Sequence, residues 1–257
     1  MNYIIIQAGG KGIRLGTLTT NKPKALTPVE NLPMIFHLFR KYPDKRFLII
    51  ADYKKDVLRN YLASFSNVKY QVVDAAGTGT CAGVRQAIDL IPSGNSFMLV
   101  WSDLVLPKDF QLPEEYCNNR KGQDKKDYIG ISTTFPCRWK YENGCFLEER
   151  STAHGVGGFF LFHDKEILAD VPESGELVRW MQEKKLRFEE LSLAETREFG
   201  LLEEYEKLET VKTRPFNRIT VEGDILVKEP LDDQGKTLAK RECAWYAKAK
   251  EHRLSGI

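Results

Sequence analysis

The chain has 257 residues and carries 38 basic against 36 acidic side chains, a formal net charge of +2. That length can bury one large core, or one core with a small appendage, and the balanced charge gives no footprint for nucleic acid or a membrane surface. Five cysteines, at positions 81, 117, 137, 145 and 243, are odd in number and lack C-x-x-C spacing, which supports neither a disulfide framework nor a zinc site.

A short apolar run, Tyr3–Ile6, is predicted as a buried strand and breaks into Gln7-Ala8-Gly9-Gly10-Lys11-Gly12-Ile13-Arg14-Leu15. A glycine-rich turn after a strand can set bare backbone N–H groups against phosphate oxygens. Arg14, and Lys24 in Lys22-Pro23-Lys24-Ala25-Leu26, add fixed positive charge for the same phosphates. Two other phosphate motifs fail. Counting from Gly10, Leu15 stands where a dinucleotide fingerprint needs its third glycine. Gly235-Lys236-Thr237 has the tail of a Walker loop, but Pro230 takes the first glycine position, so it reads as an ordinary helix start.

Further strands are predicted at Phe47–Ala51, Val68–Val73 and Phe97–Trp101, with helices at Pro33–Lys41, Lys54–Phe65 and Thr80–Leu90 between them. Near-continuous apolar strands with helical crossovers predict an α/β fold with a mostly parallel sheet, whose ligands sit beyond the strands' carboxyl ends. The Gly9–Gly12 turn, the Gly77–Gly83 segment and Asp103 all follow strands and are expected on one rim. Asp103 ends the apolar run Phe97-Met98-Leu99-Val100-Trp101-Ser102. A carboxylate there is tolerable if it faces a cleft or a metal.

After Asp103, residues 114–127 read as a solvated loop and Tyr128–Phe135 as a strand. Arg138–Glu142 and Cys145–Glu149 flank Asn143-Gly144, a strong hairpin signal. Val156–Phe162 and Arg187–Leu191 are expected strands around a helix at Glu176–Lys185. Four histidines share no ligand spacing. The tail, from Phe216 to Glu229, reads as strand, Gly-Asp turn, strand, and a helix follows over about Gln234–Lys250.

The pattern G-G-x-G-x-R-L followed by P-K-A-L resembles the sugar-phosphate nucleotidyltransferases, or pyrophosphorylases, over roughly residues 1–210. The resemblance implies a three-layer α/β/α, Rossmann-like domain with a mixed, mostly parallel sheet, spanning 1–211, and the tail over 212–257 reads as a β-hairpin plus helix appendage. It implies a Mg²⁺-dependent transfer of a nucleoside monophosphate from an NTP to a phosphorylated sugar, polyol or alcohol, with pyrophosphate released, for surface polysaccharide precursors. The backbone of Gly9, Gly10 and Gly12 with Arg14 would hold the outer phosphates, and Lys24, expected as an exposed cleft lysine, would neutralise charge at the α-phosphate.

Gly79 and Thr80 would pass beneath the base and ribose, although Gly77-Thr78 offers a second register. Asp103 and Glu198, the latter in place of the family's aspartate, would ligate the metal, and the Gly158 backbone would meet the acceptor. For both carboxylates the plain alternative is a helix cap or a surface group. The tail resembles the opening lobe of choline-kinase-like and aminoglycoside-phosphotransferase-like kinases, with Lys228 expected to pair with Glu242; a packing appendage is the alternative. Two other classes stay open: a GT-A glycosyltransferase and a non-catalytic nucleotide-sensing domain. Nucleic acid and membrane partners are not expected, and the cytoplasm is the expected compartment.

Overall fold

The computed structural model describes residues 1–117, 126–209 and 216–251 and divides the chain into two compact units, Met1–Glu204 and Tyr205–Ile257. The first unit is built on nine strands: β1 (Tyr3–Gln7), β2 (Arg46–Ala51), β3 (Lys69–Asp74), β4 (Phe97–Trp101), β5 (Tyr128–Ser132), β6 (Lys140–Glu142), β7 (Cys145–Leu147), β8 (Gly155–Phe162) and β9 (Glu189–Ser192). The sheet runs β7-β6-β8-β4-β1-β2-β3, with β5 also paired to β8 and β9 to β5. β1 is parallel to β2 and β4, and β2 to β3, whereas β8 runs antiparallel to β4, β5 and β6. The parallel first half and mixed second half match the sequence reading.

Alternation along the strands builds two cores, one on each face. Ile5, Leu48, Ile50 and Leu99 enter one; Ile4, Ile6, Ile49 and Val100 enter the other. Side chains two apart in a strand share a face, so an unbroken apolar run serves both faces at once. Helix α1 (Met34–Lys41) opens after Pro33 and buries Ile35, Leu38 and Phe39, and α2 (Lys55–Phe65) buries Leu58 and Leu62, all in the second core. Helices α3 (Val84–Asp89) and α5 (Leu177–Glu183) close the first core through Val84, Ala87, Ile88, Val178 and Met181. The result is the expected three-layer arrangement.

Four segments differ most from the sequence reading. The helix expected from Thr80 begins at Val84, because Gly83 sits at φ 77° and the segment before it is held by bonds to the Ser174 hydroxyl and the Gly175 backbone. Tyr128–Phe135 ends as a strand at Ser132, where the Ser132 hydroxyl accepts from the Phe135 N–H and turns the chain. A short helix, α4 (Glu114–Cys117), forms in the expected loop and buries Tyr116; the rest of that loop, up to 125, lies outside the described residues. The Asn143-Gly144 turn forms as expected, with φ 52° and 77°, but its strands are trimmed to three residues each.

In the second unit, β10 (Asn217–Glu222) pairs antiparallel with β11 (Ile225–Pro230), and α7 (Asp233–Glu251) follows; α6 (Leu202–Glu209) spans the division between the units. Gly235-Lys236-Thr237 lies in the first turn of α7, where the Gly235 N–H donates to Asp232 Oδ1 at 2.7 Å, an ordinary helix start. Lys228 Nζ reaches the Glu242 carboxylate at 2.6 Å, the pair expected from the sequence. Val221, Ile225, Trp245 and Tyr246 are each more than half exposed, so this unit leaves apolar side chains open. The boundary expected at 211/212 lies outside the described residues. Among the described residues no helix is long and apolar enough to cross a membrane.

Candidate active site

Strands β1 to β4 are parallel, so their carboxyl ends share one rim. β8 enters that rim from the opposite direction: its register sets Phe159 opposite Val100 and so brings Gly158 level with Trp101. A cleft of about 630 Å³ opens there, within the range of small-molecule sites. The turn after β1 contributes Gly9, Gly10 and Arg14 to its wall, and the segment after β4 contributes Asp103. Gly79 and Thr80 line it as well, whereas Gly77 and Thr78 do not.

Two expected residues stand behind the wall. Gly12 has a left-handed backbone, and its carbonyl accepts from the Leu15 N–H at 2.8 Å and the Thr19 hydroxyl at 3.1 Å, so it folds the turn rather than lining the cleft. Gly158, at φ 73°, packs under the Trp101 indole, where a Cβ would overlap the ring; its neighbour Gly157 reaches the cleft instead.

Glu198 arrives through a feature too short for sequence reading. Leu104–Val105 and Arg197–Glu198 form a two-residue antiparallel ladder, and the Phe199 N–H donates to the Asp103 carbonyl at 3.0 Å. Arg197 also bonds Glu30 at 2.7 Å. Gly200 completes the approach: a Cβ there would overlap the Glu198 carboxylate and come within 3.2 Å of Asp103 Oδ2. Two carboxylates 95 positions apart are thereby placed side by side.

Asp103 is buried, at 3% exposure, and its Oδ2 is paired with Lys24 Nζ. Lys24 is therefore mostly covered, at 16%, rather than the exposed lysine expected. The turn through Pro23 into a single 3-10 turn at Lys24–Leu26 fixes where its side chain starts. Burial works against the Asp103 charge, but the Lys24 ammonium and hydrogen bonds from Glu198 and Lys24 hold its pKa below the ordinary value. Glu198 goes the other way, pushed up to about 8 by burial, then by the charge of Asp103 and the hydrogen bond to it, against opposing Lys24 and Arg14. These opposite directions favour one proton shared by the two carboxyls near neutral pH.

Asp103 Oδ1 is buried and has no hydrogen-bond partner among the described residues. A free carboxylate oxygen beside a second carboxyl suits Mg²⁺, which takes one or two carboxylates and fills its other positions with phosphate and water oxygens. Among the described residues no group of three His, Cys, Asp or Glu competes for that role. Ligation by Glu198 would require it to lose its proton, in which case Mg²⁺ affinity should strengthen as pH rises through about 8 and then level off. Metal titrations across that range check this: Glu198→Gln should flatten the slope, and a parent protein with no slope would contradict the assignment.

Other parts of the cleft were not legible in the sequence. Trp101, Trp139 and Glu176 line the cleft, with Trp139 Nε1 donating to Glu176 Oε2 at 2.9 Å. The Thr80 hydroxyl accepts from the Leu177 N–H at 2.8 Å, capping α5 rather than the helix that follows it in sequence. Gln7 also lines the cleft. Its only sequence signal was a polar residue at the end of a buried strand; that of Trp101 was its place two residues ahead of Asp103.

Comparison with known proteins fits this geometry. Glucose-1-phosphate cytidylyltransferase of Salmonella typhimurium is 34% identical over 159 residues, covering 51% of this chain and 60% of that protein. The mannose-1-phosphate guanylyltransferase regulatory subunit alpha-A of Danio rerio is 27% identical over 160 residues, covering 58% of this chain and 37% of that protein. The chain thus spans less than two thirds of the length of these curated relatives. The crystal structure of HddC from Yersinia pseudotuberculosis superposes with a TM-score of 0.63 at 18% identity, over 82% of this chain and 100% of HddC, which shows a shared fold. The profile of the family described as Nucleotidyl transferase matches residues 3–140, more than half of the chain, and the chain belongs to that family.

Proposed function

We propose that the chain is a nucleotidyltransferase that joins a nucleoside monophosphate from an NTP to a phosphorylated sugar, polyol or alcohol. The observation that carries this reading is the meeting, in one cleft, of the Gly9-Gly10 turn, Arg14, Lys24 and the Asp103–Glu198 pair. An oxygen of the acceptor phosphate attacks the α-phosphorus in line. A new P–O bond forms as the bond to the β-phosphate bridge breaks, and pyrophosphate leaves with that electron pair. No covalent intermediate on the protein is needed, so positioning and electrostatics supply the catalysis. The Gly9 and Gly10 amides and Arg14 hold the outer phosphates, and Lys24 neutralises charge where the two phosphates meet. Asp103 and Glu198 would hold Mg²⁺, which when bound offsets the charge that develops on the α-phosphate.

A second reading, nucleotide sensing without turnover, is favoured by one observation: some similar proteins are named as regulatory subunits. The presence of Arg14, Lys24 and Asp103 in the cleft argues against it. A GT-A glycosyltransferase fits less well, since Asp103 runs into the Leu104–Val105 ladder rather than a D-x-D metal motif. A thermal-shift screen of NTPs with Mg²⁺ tests nucleotide binding, where a saturating partner should stabilise by about 2–4 kcal/mol. Pyrophosphate release on adding a phosphorylated acceptor then separates turnover from sensing. Gly10 fits thymidylyl-, uridylyl- and guanylyl-transferring members of the family, while a choline-kinase-like tail would fit a cytidylyl donor with an alcohol phosphate.

For the second unit we propose the opening part of a kinase-like lobe, on the strength of the Lys228–Glu242 pair and the open apolar side chains. All residues named for nucleotidyl transfer lie between Gly9 and Glu198, so a 1–213 fragment is expected to stay soluble and keep its pyrophosphate release. An insoluble fragment would instead favour an appendage whose apolar residues the first unit needs.

A further inference from the structure

Gln7 and Trp101 are register partners at the ends of the parallel strands β1 and β4, so their side chains rise from the same face of the sheet into the cleft. The Gln7 amide is fixed by its Nε2, which donates to the Thr80 carbonyl. That bond settles which end of the amide is which and leaves Oε1 as the free acceptor. Oε1 is shielded from solvent and has no partner among the described residues. Trp101 Nε1 is in the same condition as a donor, shielded and unpartnered. The indole cannot easily swing to find one, because the Gly158 backbone lies directly under its ring.

A buried acceptor and a buried donor on adjacent strands are costly until met, and a fixed pair selects what can meet both. A phosphate or carboxylate oxygen accepts only, and an ammonium donates only. A hydroxyl does both. We propose that Gln7 and Trp101 form a hydroxyl-recognition pair in the cleft that positions one substrate hydroxyl, Nε1 donating to its oxygen and its O–H donating to Oε1. The proposal rests on the nucleotidyl-transfer reading, in which two sources carry such a group: the ribose of the nucleotide and a sugar or polyol acceptor. Gln7 leans toward the first through its bond to Thr80.

Calorimetric titration reads this whether or not turnover occurs. The full chain is titrated with CTP, UTP, GTP and ATP, each against its 2′-deoxy and 3′-deoxy forms, and with glucose 1-phosphate and glycerol 3-phosphate against their deoxy forms. Loss of the recognised hydroxyl should weaken binding to the parent protein by about tenfold. That penalty should disappear in Trp101→Phe, which keeps the ring over Gly158 and removes the donor, and in Gln7→Met, which keeps the volume. The ligand that shows the coupling identifies the source. Equal penalties in parent and variants, or no penalty for any deoxy form, would overturn the proposal and leave both residues as packing elements. Pyrophosphate release is scored separately, so a protein that couples to a hydroxyl without turning over refutes the transfer reading alone.

Discussion

Lys24→Ala is expected to lower pyrophosphate release by about 10²–10³-fold, the scale for losing one charge partner of a transition state. The structure adds a cost that the sequence did not suggest. Lys24 is mostly covered and pairs with a buried carboxylate, so its removal strands Asp103. Removing one partner of a buried pair costs about 3–5 kcal/mol when the other stays charged, but Asp103 can escape part of that by taking up a proton. The variant should therefore melt at a lower temperature as well as turn over slowly. Assay well below its melting temperature separates the two effects, and Lys24→Met, which keeps the apolar stem, should recover stability without recovering rate. Full activity in a folded Lys24→Ala protein would remove the ammonium from the mechanism.

Asp103→Asn is expected to raise the Mg²⁺ concentration needed for half-maximal turnover by at least ~10–100-fold, the range that even outer-shell changes produce. The amide keeps the shape of the side chain but offers a weaker, uncharged oxygen. The substitution also removes the negative charge that helps push Glu198 up to about 8, so the Glu198 proton should be held less tightly in this variant. Metal titrations at two pH values, below and above that pKa, would show both effects. Unchanged Mg²⁺ dependence would make Asp103 a strand-end cap, and the metal would have to sit elsewhere.

The sequence made the sheet and its rim legible because both depend on local signals. Ile4, Ile5 and Ile6 read as a strand buried on both faces, and Gly9-Gly10 followed by Arg14 reads as a phosphate turn wherever the rest of the chain goes. Asp103 was legible for the same reason, as an acidic residue directly after an apolar strand. What was hidden depends on contacts between distant segments. The ladder that sets Glu198 beside Asp103 has two residues per strand, too few for any periodicity. The Thr80 hydroxyl looked like a cap for the next helix but caps α5, which begins 97 residues later. Gly158 carried a backbone signal, yet the side chain it makes room for, Trp101, belongs to another strand.

The most direct test of the central claim is to identify the product. The parent protein is incubated with Mg²⁺, an NTP and a phosphorylated sugar or alcohol, and the mixture is followed by phosphorus NMR and mass spectrometry. The account predicts pyrophosphate and a diphosphate-linked nucleoside conjugate of the acceptor, formed in equal amounts and only when both substrates are present. Nucleotide binding with no conjugate under any pairing, or phosphate released in place of pyrophosphate, would contradict it.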